Sequence, residues 1–196
     1  MSGEAVVHVV DDDASFARSL ARLLGARGFP VESFASGTEL LGRVSDDTRG
    51  CVVMDLNMPG LNGLELQAEL ASRGVLLPVV FLTGAADIPS SVRAMQRGAV
   101  DFLEKRAPQE QLIAAVERAL EADRARSELR QRFASLTERE REVLREVIRG
   151  RMNKQIAADL GIHERTVKLH RTAITTKVGV RSVAELTILA REAGLA

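Results

Sequence analysis

The stretch Cys51-Val52-Val53-Met54-Asp55-Leu56-Asn57-Met58-Pro59-Gly60 decides the fold. Four apolar residues end on one carboxylate, and Pro59 and Gly60 stop any continuation. The run therefore reads as a buried parallel strand that delivers Asp55 to a loop. Three further strand-like runs end in the same way. Val6-Val7-His8-Val9-Val10 leads into Asp11-Asp12-Asp13, Val79-Val80-Phe81-Leu82 into Thr83-Gly84, and Val100-Asp101-Phe102-Leu103-Glu104 into Lys105. In an open α/β sheet the carboxyl ends of parallel strands share one crevice, so these side chains are expected to converge. Three acids, a hydroxyl and an amine in one crevice suit a hard cation and a phosphoryl group.

A segment with helical spacing follows each of these runs. Residues 14–26 place Phe16, Leu20, Leu23 and Leu24 on one face, Leu64, Leu66 and Leu70 follow the third strand, and Val92 and Met95 the fourth. Val31-Glu32-Ser33-Phe34 alternates and reads as an edge strand. The expectation for residues 1–120 is a five-stranded, parallel, doubly wound α/β domain. The fifth helix opens after Pro108 with Leu112, Ile113, Val116, Ala119 and Leu120 inward. Nothing breaks it before Ala134, so residues 121–134 read as a solvated helical linker.

Composition sets the class. The 196 residues are 45% hydrophobic and 28% charged, as in an ordinary soluble protein, and Cys51 is the single cysteine, so no internal disulfide is possible. No signal-like segment and no membrane-length apolar run is visible, which makes the cytoplasm the expected compartment. The net charge is zero but uneven. Residues 1–120 hold 11 Lys/Arg against 16 Asp/Glu, whereas residues 134–196 hold 12 against 8. The acidic front and basic rear suggest two domains with different partners, the rear one able to meet nucleic acid.

Residues 135–196 read as an all-α, four-helix domain. Thr137-Glu138-Arg139-Glu140 fits a capping box, opening a helix with Val143, Leu144, Val147 and Ile148 inward and Gly150 at its end. Asn153 starts a short helix, Gly161 permits a sharp turn, and residues 164–177 form the next helix, with Val167 and Ile174 toward the core. Ala157, Gly161 and Val167 have the spacing of a helix-turn-helix. The polar face of 164–177 offers Arg165, Thr166, Lys168, His170, Arg171, Thr172 and Lys177, which suits phosphates and base edges. A solvated face on an ordinary three-helix bundle is the competing reading of that pattern.

Taken together, these motifs resemble the response regulators of the NarL/FixJ type, which join a CheY-like receiver to a LuxR-type DNA-binding domain. The receiver likeness covers residues 4–120 through Val9-Val10-Asp11-Asp12-Asp13, Asp55 to Gly60, Thr83-Gly84 and Glu104-Lys105, and is nearest to the FixJ-like branch. The rear likeness covers residues 134–196 through Leu136-Thr137-Glu138-Arg139-Glu140, Asn153-Lys154-Gln155-Ile156-Ala157 and Thr166-Val167-Lys168-Leu169-His170-Arg171. The resemblance implies that Asp55 accepts a phosphoryl group from a sensor histidine kinase. It implies Mg²⁺ held by Asp12 and Asp55, by Asp11 through water and by the Asn57 backbone carbonyl. Lys105 and Thr83 would hold phosphoryl oxygens, and Phe102 would act with Thr83 as the switch. For double-stranded promoter DNA it implies Lys168, Leu169 and Thr172 as base readers. Lys154, Arg165, Thr166, His170, Arg171 and Lys177 would lie nearer the backbone. A homodimer in the phosphorylated or DNA-bound state is expected, with RNA polymerase a further partner and no membrane.

Asp11 and Asp12 could cap the first helix, for which Asp13 is an equally good candidate. A Mg²⁺-dependent phosphohydrolase with an aspartyl nucleophile would want a second carboxylate near it, yet position 57 is Asn. One departure stands out: such receivers place a cis proline after the lysine, and here Arg106 follows Lys105. A non-proline cis bond costs about 2.5–4 kcal/mol, so trans is expected, and a phosphorylation-independent regulator is the alternative to carry.

Overall fold

The computed structural model describes residues 4–84 and 88–195. The chain divides into two compact units, 1–124 and 125–196. In the first, five strands form one parallel sheet: β1 (Val6–Val10), β2 (Val31–Phe34), β3 (Gly50–Asp55), β4 (Val79–Thr83) and β5 (Asp101–Glu104). Their order is β2-β1-β3-β4-β5, with β2 at an edge as its alternation predicts. The helices between them are α1 (Ala14–Ala26), α2 (Gly37–Leu41), α3 (Gly63–Ser72) and α4 (Ile88–Gln96), and α5 (Gln109–Ala134) follows β5.

The hydrophobic pattern separates the two faces. Val10, Val52, Met54 and Phe81 point into one core with Phe34, Leu40, Leu66, Leu70 and Ala94. Their strand neighbours Val7, Val9, Cys51, Val53, Val80 and Leu82 point to the other, against Leu20 and Leu24 of α1 and Ile113, Val116 and Ala119 of α5. A strand buried on both faces carries no polar alternation, which is why β3 reads as an unbroken apolar run. The chain reverses direction across the sheet between β1 and β3, so the crevice lies at the ends of these two strands.

The segment read as a solvated linker is helical, and it is less solvated than its composition suggests. Asp123 is buried, with one carboxylate oxygen 2.9 Å from Arg49 Nε. Phe133 is buried and Leu129 partly so, both in the core of the second unit.

That second unit holds α6 (Glu138–Ile148), α7 (Asn153–Leu160), α8 (Glu164–Val178) and α9 (Val183–Glu192) around Val143, Ile156, Val167, Ile174 and Leu186. The capping box is present: Thr137 Oγ1 accepts from the Glu140 amide at 3.3 Å, and Glu140 Oε2 accepts from the Thr137 amide at 2.7 Å. Gly161 sits at φ +63°, the left-handed cap that ends α7 and turns the chain into α8.

Candidate phosphoryl and nucleic-acid sites

Asp55 is the last residue of β3, and Asp11 directly follows β1, its neighbour in the sheet. Register alone therefore brings the two carboxylates together at the crevice. Both are buried, whereas Asp12 is exposed. One carboxylate oxygen from each of the three lies within 4.8 Å of the others. Two ligands on an octahedral ion with bonds near 2.1 Å stand about 3.0–4.2 Å apart, so this all-oxygen cluster has the size and chemistry for Mg²⁺.

Lys105 follows β5 and reaches back across the crevice. Its Nζ lies 2.7 Å from Asp11 Oδ2 and 2.8 Å from Asp55 Oδ2. Burial alone would lower the pKa of this amine, but hydrogen bonds to the two carboxylates outweigh it and hold the ammonium above its ordinary value. Burial also pushes the Asp11 carboxyl up, against the pull of Lys105 and of the Asp13 amide that donates to Asp11 Oδ1 at 2.9 Å. The other oxygen of Asp55 accepts from the Asn57 backbone amide at 3.2 Å. Asp55 is thus gripped on both oxygens at the mouth of the sheet.

The remaining receiver residues lie close by. Thr83 ends β4, fully buried, and its carbonyl accepts from the Lys105 amide at 2.8 Å, which fixes the two strand ends to each other. Phe102 is half-buried, its ring centroid 5.8 Å from that of Phe81. Asp13 caps α1, its carboxylate accepting from the amides of Ser15 and Phe16. That role leaves Asp11 and Asp12 outside the cap. Every peptide bond among the described residues is trans, including the one after Lys105, and the exposed Arg106 side chain pairs with Glu104 at 2.7 Å. Sequence reasoning missed Phe16, whose ring lies 4.6 Å beneath the Lys105 ammonium. Its helical spacing marked it only as a core residue.

On the second unit, α8 presents Arg165, Lys168, Leu169, Thr172 and Lys177 to solvent, with Thr166, His170 and Arg171 half-buried, and Lys154 is exposed on α7. Two cations of this set are already engaged within the chain. Arg171 Nη1 donates to Asn153 Oδ1 at 2.6 Å, tying α8 to the start of α7. Lys177 Nζ donates to the buried Glu140 Oε2 at 2.7 Å, tying it to α6. Leu169 stands out as an exposed leucine on an otherwise polar face.

Comparison with known proteins gives a family for each part of the chain. Residues 7–117 match the response regulator receiver domain family. Residues 134–190 match the bacterial regulatory proteins of the luxR family. Nodulation protein W of Bradyrhizobium diazoefficiens is 42% identical, over 99% of this chain and 88% of that protein. The transcriptional regulatory protein FixJ of Azorhizobium caulinodans is 43% identical, over 97% of this chain and 93% of its own length. Among solved structures, response regulator StyR aligns at 43% identity with a TM-score of 0.62, covering 97% of this chain and all of that one. Full-length FixJ from B. japonicum aligns at 37% identity with a TM-score of 0.54, covering 98% of each chain.

Proposed function

The chain belongs to the FixJ-type two-component response regulators of transcription, and on that premise we propose that phosphorylation of Asp55 controls its dimerisation and its sequence-specific binding to promoter DNA. The observation that carries this reading is the crevice itself, where one lysine bridges two buried carboxylates at the ends of adjacent strands. A carboxylate oxygen of Asp55 attacks phosphorus of the kinase's phosphohistidine. The P–N bond breaks, the imidazole nitrogen leaves with the electron pair, and an acyl phosphate forms on Asp55.

Asp12, Asp55 and the Asn57 carbonyl would hold Mg²⁺ directly, and Asp11 through water. When bound, the ion offsets the charge that builds on the phosphoryl oxygens. Lys105 transfers its hydrogen bond from the Asp55 carboxylate to a phosphoryl oxygen, and the Thr83 hydroxyl takes another. The displacement of Thr83 lets Phe102 turn further inward, which reshapes the surface formed by residues 88–118 and favours a receiver dimer there. In the second unit α8 enters the major groove. Lys168, Leu169 and Thr172 face the bases, while Lys154, Arg165, Thr166, His170, Arg171 and Lys177 lie nearer the phosphates. The receiver occupies residues 1–120, the helical linker 121–134 and the DNA-binding domain 135–196. The compartment is the cytoplasm, and among the described residues no helix is long and apolar enough to cross a membrane. RNA polymerase is the partner that a DNA-bound regulator would present itself to.

The test starts from duplexes selected from a random library with the full chain. Affinity for the selected duplex and sedimentation are then measured with and without Mg²⁺ and acetyl phosphate. Tighter binding together with a monomer-to-dimer shift supports the reading. Equal binding in both states, with no change in association, favours a phosphorylation-independent regulator, the alternative that Arg106 beside Lys105 motivates.

A further inference from the structure

The geometry points to Phe16 as a positioning residue that holds the Lys105 ammonium over the phosphoryl-accepting crevice through the face of its ring. This inference rests on the receiver reading above and adds a residue of this chain to it. Lys105 Nζ stands 4.6 Å from the Phe16 ring centroid, inside the roughly 6 Å at which a cation is attracted to an aromatic face. The same nitrogen makes its two short contacts to Asp11 and Asp55. The ammonium is therefore enclosed by two carboxylates and one aromatic face, with its side chain only 20% exposed.

Phe16 is itself well held. Its amide donates to the Asp13 cap at 3.1 Å, which fixes the first turn of α1 immediately beside the crevice acids. It packs, partly buried, against the core that contains Leu20 and Leu82. This packing and the cap together favour the position beneath Lys105. Lysine has a flexible four-carbon stem, and confining it costs rotamer entropy. That matters at the moment of transfer. When a phosphoryl group joins Asp55, the ammonium must leave the Asp55 oxygen for a phosphoryl oxygen. The ring face carries no directional hydrogen bond, so it keeps the cation over the crevice while its other partners exchange.

The test uses the full chain with Phe16→Leu, which keeps apolar bulk and removes the π face, and Phe16→Tyr, which keeps the face. In the unphosphorylated protein, the Lys105 ε-methylene protons are read by NMR. A ring-current upfield shift is expected in wild type and in Phe16→Tyr, and its loss in Phe16→Leu. The rate of adduct formation from acetyl phosphate is then measured by intact mass. Phe16→Leu is expected to be about two- to fivefold slower, with Phe16→Tyr restored. In a Lys105→Met background, Phe16→Leu should change nothing further. Unshifted ε-protons in wild type would overturn the proposal. So would a Phe16→Leu rate equal to wild type, or an equal loss in the Lys105→Met background, which would make Phe16 a packing residue only. If no variant forms an adduct, the receiver reading fails, and the NMR result still decides whether the ring holds the lysine.

Discussion

Replacing Gly63 by alanine is expected to damage the crevice from behind. Gly63 is buried at the first turn of α3, and its amide donates to the Leu56 carbonyl at 2.9 Å. A Cβ placed there would stand 2.5 Å from the Asp55 carbonyl oxygen, 2.9 Å from Phe81 Cε1 and 3.1 Å from Leu56 Cα. Ordinary contact begins at 3.4 Å, so the Asp55 backbone or the helix must yield by about 0.9 Å. Neither is free to do so. Asp55 is fixed by its strand and by Lys105, and Phe81 is completely buried. Alanine in a helix interior gains up to about 1 kcal/mol over glycine, and less in the first turn, whereas overpacking a core costs about 1–3 kcal/mol. The clash wins. A net loss of about 1–2 kcal/mol is expected in receiver stability by those two terms. A displacement near 1 Å at the acceptor can slow the chemistry by up to about 100-fold. Urea unfolding followed by circular dichroism measures the first, since the chain has no Trp or Tyr. Intact mass against time with acetyl phosphate measures the second. Gly37→Ala is the comparison, because the atoms nearest its Cβ are methyl ends of Leu66 and Leu61 at 3.0–3.2 Å rather than backbone at 2.5 Å, and it should cost less than Gly63→Ala. A Gly63→Ala protein as stable and as reactive as wild type would refute the argument.

Three shorter expectations concern titratable groups. His8 is buried in β1, and burial holds its pKa below the ordinary value against the pull of Glu32 and of a backbone hydrogen bond with Arg49. The stability it contributes as a neutral ring is full above about pH 6.5 and is lost as pH falls toward its folded value. The receiver's urea midpoint should therefore drop on acidification, and His8→Phe should flatten that slope. Glu140 is the opposite kind of group: hydrogen bonds from Lys177 and the Thr137 amide hold its carboxyl below the ordinary value. Its contribution to the second unit is present above about pH 4.3 and is lost as pH falls through the folded value. Glu140→Gln should cost about 1 kcal/mol at pH 7 and reduce the acid sensitivity of that unit, as read by thermal unfolding of the full chain. The Cys51 thiol, pushed up to about 12 by burial and by Asp123, should resist a thiol reagent in the native protein and react on unfolding.

The strands of the receiver were legible because a parallel sheet covered on both faces must be apolar throughout. Val31–Phe34 was legible as an edge because it alternates. The crevice acids followed from that, since each ends a strand. The helix-turn-helix was legible from Ala157, Gly161 and Val167 and the spacing between them. What could not be read depends on residues that only the folded chain brings together. Gly50 extends β3 by one residue at φ +124°, where a side chain would collide with the Val6 carbonyl of the neighbouring strand. The Arg49–Asp123 pair joins residues 74 apart and buries a carboxylate in a segment whose composition reads as solvated. Phe16 beneath Lys105 is of the same kind, because its spacing says only that it faces inward. Arg171 and Lys177 are cationic in the sequence, but their engagement by Asn153 and Glu140 belongs to tertiary packing.

The central claim is that Asp55 is the phosphoryl acceptor of this regulator. The most direct measurement is the intact mass of the full chain after incubation with Mg²⁺ and acetyl phosphate, alongside Asp55→Asn. The expected result is one added phosphoryl group on the wild-type chain, lost on brief alkaline treatment as an acyl phosphate must be, and no addition to Asp55→Asn. A stable adduct that persists in Asp55→Asn, or no adduct on a folded wild-type chain that still binds DNA, would contradict it.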